Sequence, residues 1–445
     1  MAAEKAWADM TAEEKRAKRI SDWRDPPVEW ASPEAEAEYK ARVDRVVAAL
    51  DLQVPDRVPV NINAGFWPGA WAGLTPYEVM SDTPRALKAW LDFTLEFDAD
   101  FFASPMLYTL PGSAFEALGY DLYSWPGHGV PETAPYQYTE QEWMLDTDYD
   151  ELIADPSGFM MRTYLPRVAQ GFASFKDVPP FMDYIELPFV SSSLLVWASP
   201  EMQESLRRLL DAGKIAGEWL GQALPVLGQM MASGYPGYFA GGTKAPFDIL
   251  GDTLRGTKGV IMDMFRQPEK LMEACDRLVP MALDWALRRP FLSTPVIFIP
   301  LHKGADGFMS DEQFKTFYWP TLRKLLLGLI EEGIIPFLFA EGRYGSRLEA
   351  IMDLPKGKTV WLFDQTDMAR AKETIGQVAC IEGNVPLSLM HAGTAEQVAD
   401  YTRNLIDTAG KDGGFILDIG AVADGGKAEN LHAMIKTAKE YGVYA

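Results

Sequence analysis

Between residues 334 and 386, three short apolar runs alternate with amphipathic segments, and each run stops at an acidic or amide residue. The runs read IIPFLFAE, VWLFDQ and CIEGNVP; Glu341 ends the first, Asp364 and Gln365 the second, Glu382 and Asn384 the third. Short apolar runs separated by helix-length segments suit parallel strands, which are buried on both faces. In such folds the C-terminal ends of the strands form the rim where ligands bind.

The same rhythm runs along the rest of the chain. Strands are predicted over residues 57–63, 99–103, 238–241, 296–301 and 414–419, and helices over 75–97, 200–233, 265–286 and 428–441. Ser310 to Gln313 and Thr394 to Gln397 are Ser/Thr-x-x-Gln capping boxes, which open helices by pairing side chains with the free backbone N–H groups. Alternation of about eight strands with eight helices predicts an α/β fold, a (β/α)8 TIM barrel. A doubly wound open sheet is the alternative, but no Gly-x-Gly-x-x-Gly and no phosphate-binding P-loop follows a strand. Residues 1–50 read as an N-terminal helical extension, a solvated arm or an oligomer contact, ahead of a barrel over 51–445. Residues 104–180 break the rhythm with Pro, Gly and aromatic residues and read as a lid-like insertion, with an apolar run at 184–190 beyond it.

Composition narrows the function. Formal net charge is −22, which disfavours nucleic acid and anionic membranes. No run of 18 apolar residues is present, and the charged N-terminus has no signal-peptide core. The only cysteines, Cys275 and Cys380, form no metal-binding pair, so a reducing cytoplasmic compartment is expected.

Four segments carry a family resemblance: KAPFDILGDTLRG (244–256), HKGADGFMSDEQFKTFYWPTLRKL (302–325), CIEGNVPLSLMHAGTAEQV (380–398) and GGFILDIGAVADGGKAENLHAMIKTAKEYG (413–442). Their order and spacing resemble the uroporphyrinogen decarboxylase superfamily, which includes the corrinoid-dependent methyltransferases. The resemblance implies a single barrel with its site at the strand C-termini. Two departures stand out. Porphyrinogen decarboxylases hold substrate carboxylates with arginines after the first strand, yet this chain has no Arg between Arg57 and Arg85. Methyltransferases with thiol acceptors bind zinc through His-x-Cys and a later Cys; Phe339, Glu341 and the neighbourhood of Gly420 stand at those positions, so no zinc is expected.

The candidate catalytic residues are His302, just past the run VIFIPL, with Glu341 and Asp364 at the next two strand ends. Each is a type suited to moving protons. Together they also make a conceivable hard metal site, although no short motif supports one and no metal is the expectation. Candidate substrate-binding residues are Asn61 and Asn63, which alternate onto one face of the first strand, and the apolar Trp67 and Tyr108. His128 in the turn WPGHGVP, Lys303, Arg343, Tyr344, Gln365, Glu382 and Asn384 complete the set, with Arg343 and Tyr344 as expected partners of Glu341. His391 and His432 read as surface or packing residues.

The resemblance and the neutral, aromatic first loop suggest a corrinoid-linked methyltransferase. It would move a methyl group between cobalamin, free or on a partner corrinoid protein, and a small, mostly apolar methylated or methoxylated substrate. The alternatives are a cofactor-free decarboxylase of a small acid and a non-catalytic corrinoid- or porphyrin-binding protein. A homo-oligomer is compatible with all three.

Overall fold

In the computed structural model, residues 5–102, 104–288 and 292–444 are described. A parallel six-stranded sheet runs in sequence order through Gly241–Gly242, Val296–Leu301, Ile335–Ala340, Val360–Phe363, Cys380–Glu382 and Phe415–Ile416. Two extended segments join its edges. Residues 58–64 lie along the last strand, where Asn61 N donates to Leu417 O and Leu417 N to Pro59 O, each at 2.9 Å. Residues 99–102 bridge the remaining gap: Asp100 N donates to Val60 O at 2.9 Å and Phe102 N to Pro236 O at 3.1 Å. With these two segments the six strands become a closed ring of eight, the predicted (β/α)8 barrel. The first two wall segments make fewer ladder bonds than the predicted strands 57–63 and 99–103 imply, and Ala103 lies outside the described residues.

Period-two alternation divides the core. Ile297, Ile299, Leu301, Leu338, Ala340, Trp361, Phe363 and Leu417 face outward, into the large cluster under the helices. Val296, Phe298, Phe337, Phe339, Val360, Leu362, Cys380 and Ile416 face inward. That inner cluster also contains Trp23, Tyr39, Val43, Val46, Ala49 and Leu50. Helices Ala12–Arg24 and Pro33–Leu50 therefore plug the lumen, and the expectation of a solvated arm is corrected. Even its charged groups are engaged: Lys15 pairs with Glu332 and Arg16 with Asp51, each at 2.6 Å.

Both capping boxes form as predicted, opening helices at Asp311 and Ala395, and the last helix spans Ala428–Tyr441. The insertion folds into short helices and a small three-stranded sheet of Tyr123–Pro126, Gly129–Val130 and Gln137–Tyr138. It is anchored to the barrel where Tyr138 donates to Asp252 O and Tyr149 to Asp263 at 2.8 Å. The run 184–190 falls into short helical turns ahead of helix Pro200–Ala232. No helix among the described residues is long and apolar enough to cross a membrane.

Candidate active site

Strand register fixes the centre of the site. Leu301 pairs with Ala340, so the next residues, His302 and Glu341, emerge side by side at the rim. His302 Nε2 lies 3.4 Å from Glu341 Oε2, while Nδ1–H donates to Asp252 Oδ2 at 2.5 Å. Asp252 and Asp248 lie one turn apart on Pro246–Asp248 and the wider turn Ile249–Leu254 that continues it. Lys244, one turn earlier in the sequence, pairs with Asp252 at 2.6 Å, and Lys303 approaches it at 3.3 Å. Asp248 accepts the backbone N–H groups of His302 (3.1 Å) and Lys303 (2.9 Å) and the Tyr318 hydroxyl (2.7 Å). It thereby supplies partners for backbone donors left free where the strand ends.

Charge follows from these neighbours. Burial works against the ionised form of Asp252, but the hydrogen bond and charge of His302, with Lys244, hold it well below the usual carboxylate range. Burial likewise opposes a charged His302, yet Asp252, bonded to it, and then Asp248 raise its pKa above the ordinary value. Asp248 is raised by burial and by the charge of Asp252.

A cavity of about 250 Å³ opens in front of this dyad. His302 and Glu341 form its polar edge, Asn61, Asn63 and Tyr238 its floor, and Phe102, Phe239, Phe298 and Phe339 its walls. From the insertion come Leu107, Tyr108 and Tyr136, which also wall a second, apolar chamber of about 270 Å³. Among the described lining residues there is neither Lys nor Arg.

Beneath the floor lies a second carboxyl pair. Glu382 accepts from Asn61 Nδ2 at 3.0 Å and from the Tyr238 hydroxyl at 2.8 Å. Asp418 accepts from Asn61 Nδ2 and from Asn63 N, each at 2.9 Å, and from Ile419 N at 2.6 Å. Both acids are fully buried. Burial, together with the charge of Asp418, pushes Glu382 well above the carboxylate range, and burial lifts Asp418 to about 6.

Several expectations are corrected. Asp364 does not join His302 and Glu341: its Oδ2 accepts Gly342 N at 3.1 Å and Gln365 Nε2 at 3.2 Å, and burial raises its pKa. With Gln365 it lines a separate rim pocket. No group of three or more His, Cys, Asp or Glu among the described residues is arranged to hold a metal. Asn384 braces that loop, donating to Asp364 O at 3.0 Å and Thr366 O at 2.8 Å. Tyr344 is buried and donates to Leu301 O at 3.1 Å, and Arg343 is exposed; neither pairs with Glu341, because the strand register brings His302 to it first. Trp67 packs in the core against Phe93. His128 is an exposed turn residue stacked on Trp125, with ring centroids 4.2 Å apart. Lys303 is held away from the cavity by Asp252 and by Thr257 at 2.9 Å. His432 pairs with Glu96 on the surface, as expected of a packing residue.

Sequence reasoning missed Lys244, Asp248, Asp252, Tyr238 and Asp418 as site residues. Lys244, Asp248 and Asp252 recur every fourth position, a spacing that was a usable signal; the structure puts the two acids on successive helical turns and Lys244 just ahead of them. Asp418 was also visible as a lone acid within FILDIG, where burying an unpaired carboxylate is costly.

A family model described as uroporphyrinogen decarboxylase matches residues 193–441, more than half of the 445. A curated uroporphyrinogen decarboxylase of Psychromonas ingrahamii is 24% identical over 227 residues, 50% of this chain; the match spans only 60% of that relative's length. Among solved structures, a methyltransferase from Methanosarcina mazei superposes with a TM-score of 0.55 at 16% identity, covering 90% of this chain and 98% of its own. That likeness is one of fold. The chain belongs to the uroporphyrinogen decarboxylase family.

Proposed function

We propose that this protein is a methyltransferase of the corrinoid-linked kind, which demethylates a small, neutral, mostly apolar methylated or methoxylated substrate. The carrying observation is the chain Asp252–His302–Glu341 at the edge of an aromatic cavity without Lys or Arg. A raised imidazole pKa suits a general acid at neutral pH. As a methyl–oxygen bond breaks, its electron pair stays on oxygen, and His302 Nε2–H delivers a proton there. Asp252 keeps Nδ1 protonated and the ring in place. Glu341, with a side chain 53% exposed, returns a proton from solvent. The phenyl walls hold the substrate flat and exclude water, so that alignment and desolvation lower the barrier.

A cavity of about 250 Å³ accommodates one ring, below the roughly 300–1,000 Å³ of pockets that bury drug-sized ligands. A corrin macrocycle does not fit inside it and would meet the substrate only across the opening, carried free or by a partner corrinoid protein. The cobalt of such a group would supply the centre that takes the methyl group. The zinc site of thiol methylation has no counterpart in the side chains. Phe339 packs 6.3 Å from Phe298 and has no donor atom, and a Cβ at Gly420 would meet Asn384 Cβ and Asp364 O at 3.1 Å.

The decarboxylase reading fares less well, since a carboxylate in this cavity would find no cation but His302 among the described lining residues. The test is to mix the protein with cob(I)alamin and methoxylated one-ring donors and follow the visible spectrum. Formation of methylcobalamin that is lost in His302→Gln is expected. Release of CO2 from a small acid, with no spectral change for any donor, would overturn the proposal.

A further inference from the structure

Two polar side chains of the cavity floor, Asn61 and Tyr238, are held by the buried acids beneath it, and of these Asn61 keeps a polar atom in reserve. Asn61 is only 6% exposed, and it stands between the cavity and the buried acids. One amide nitrogen serves both acids, 3.0 Å from Glu382 Oε1 and 2.9 Å from Asp418 Oδ2. Tyr238 and the backbone N–H groups of Asn63 and Ile419 also donate into the pair. The proton that Glu382 keeps is engaged with Asp418, so toward Asn61 the two acids present acceptors. Turning the amide over would set its oxygen against theirs and strand the nitrogen. The pair therefore locks the amide with Nδ2 downward. The remaining atom, Oδ1, accepts from no described residue, and Asn61 lines the cavity. Asn63, on the same face two residues along, has a buried Nδ2 that is also without a partner among the described residues.

We infer that Asn61 Oδ1 is a specificity element of the cavity, selecting flat, apolar substrates that carry a hydrogen-bond donor, a hydroxyl or an amine N–H, over isosteres that lack one. The inference rests on reading this cavity as the substrate site. Glu382 and Asp418 act through Asn61 as positioning residues. A ligand without a donor would cover Oδ1 and leave a buried acceptor unmet, which is what makes such sites selective. The phenyl walls supply affinity for the ring but do not distinguish phenol from toluene. The amide makes that distinction.

The experiment measures equilibrium binding of four one-ring probes to the full chain by calorimetric or NMR titration: phenol and aniline, which carry donors, and toluene and fluorobenzene, which do not. Phenol and aniline are expected to bind about tenfold tighter, the worth of one hydrogen bond, with the preference shrinking to within about twofold in Asn61→Leu. Should Asn61→Leu fail to fold, Asn61→Ala serves, since it leaves room for water to solvate the acids. Equal binding of phenol and toluene to the natural chain would overturn the inference. So would a preference that survives in the folded variant, or no binding of any probe. None of these measurements needs a corrinoid. A protein that prefers donors yet never methylates cobalamin would overturn the methyltransferase reading and leave this one standing.

Discussion

The barrel buries two pairs of carboxyl groups, and they behave in opposite ways. Asp248 and Asp252 stand beside His302, Lys244 and Lys303; among the described residues Glu382 and Asp418 meet each other, the Asn61 amide, a phenol and backbone N–H groups. The first pair is answered by positive charge, so Asp252 stays ionised and raises His302. The second is answered by neutral donors alone, so Glu382 keeps its proton. Depth alone does not set the charge of a buried acid; its partners do. The two pairs therefore suit different tasks, proton delivery at the cavity edge and fixed geometry beneath its floor.

The comparison breaks most visibly at Asp252. Asp252→Asn strands two lysines and removes the partner that raises His302. Methyl transfer should fall by about 10²–10⁴, the usual worth of a general acid, and urea unfolding should show a loss of about 3 kcal/mol. Unchanged stability in the variant would mean that the ion cluster does not hold this corner together.

The next effect is on pH. His302 has a raised pKa in the fold, so its stabilising contribution is present below about pH 6.5, the ordinary value, and is lost as pH rises through the raised one. Activity that depends on the imidazolium should fall along the same limb, about tenfold per unit once the group is deprotonated. In Asp252→Asn that limb should move to lower pH, since the group that raises His302 is gone. A limb that stays in place would detach the acid role from His302.

Glu382→Gln should behave in the opposite way to Asp252→Asn. Glu382 carries its proton in the folded chain and loses it above about pH 4.3 in the unfolded one, so raising pH favours unfolding by up to about 1.4 kcal/mol per unit. Glutamine imitates the protonated acid and abolishes that slope. Relative to the natural chain, the variant should thus gain stability between pH 4.5 and pH 7, measured by urea midpoints at the two values. A constant difference would show that Glu382 is ionised in the fold.

How much of this was readable in the residues differs from region to region. Glu341 and His302 were legible because a charge is costly to bury, so one that ends an apolar run belongs at the rim of the fold; Glu382 carried the same signal but lies fully buried beneath the floor, where it keeps its proton. The pairing of His302 with Glu341 was not legible, since it depends on the register that sets Leu301 beside Ala340. Asp364 and Asn384 shared the same sequence signal as Glu341, yet the loops that follow them turn their polar atoms toward backbone. An amphipathic pattern in residues 1–50 announced helices but not what they cover, and only the fold shows Trp23 and Val43 plugging the lumen. His128 looked poised because its turn is glycine-flanked; stacking on Trp125 leaves it exposed instead.

The smallest effect comes from two tyrosines that differ only in which pair they serve. Tyr318 donates to Asp248 at 2.7 Å and Tyr238 to Glu382 at 2.8 Å, and both are buried. Asp248 accepts three donors and contributes none, so the Tyr318 bond ends on an acceptor with charge to stabilise. The Tyr238 bond ends on a protonated acid. Hydrogen bonds to charged groups are worth about 1.5–3 kcal/mol and neutral ones about 0.5–1.5. Tyr318→Phe should accordingly cost about 1 kcal/mol more than Tyr238→Phe in urea unfolding at neutral pH. Equal costs at neutral pH would mean that both pairs carry the same charge.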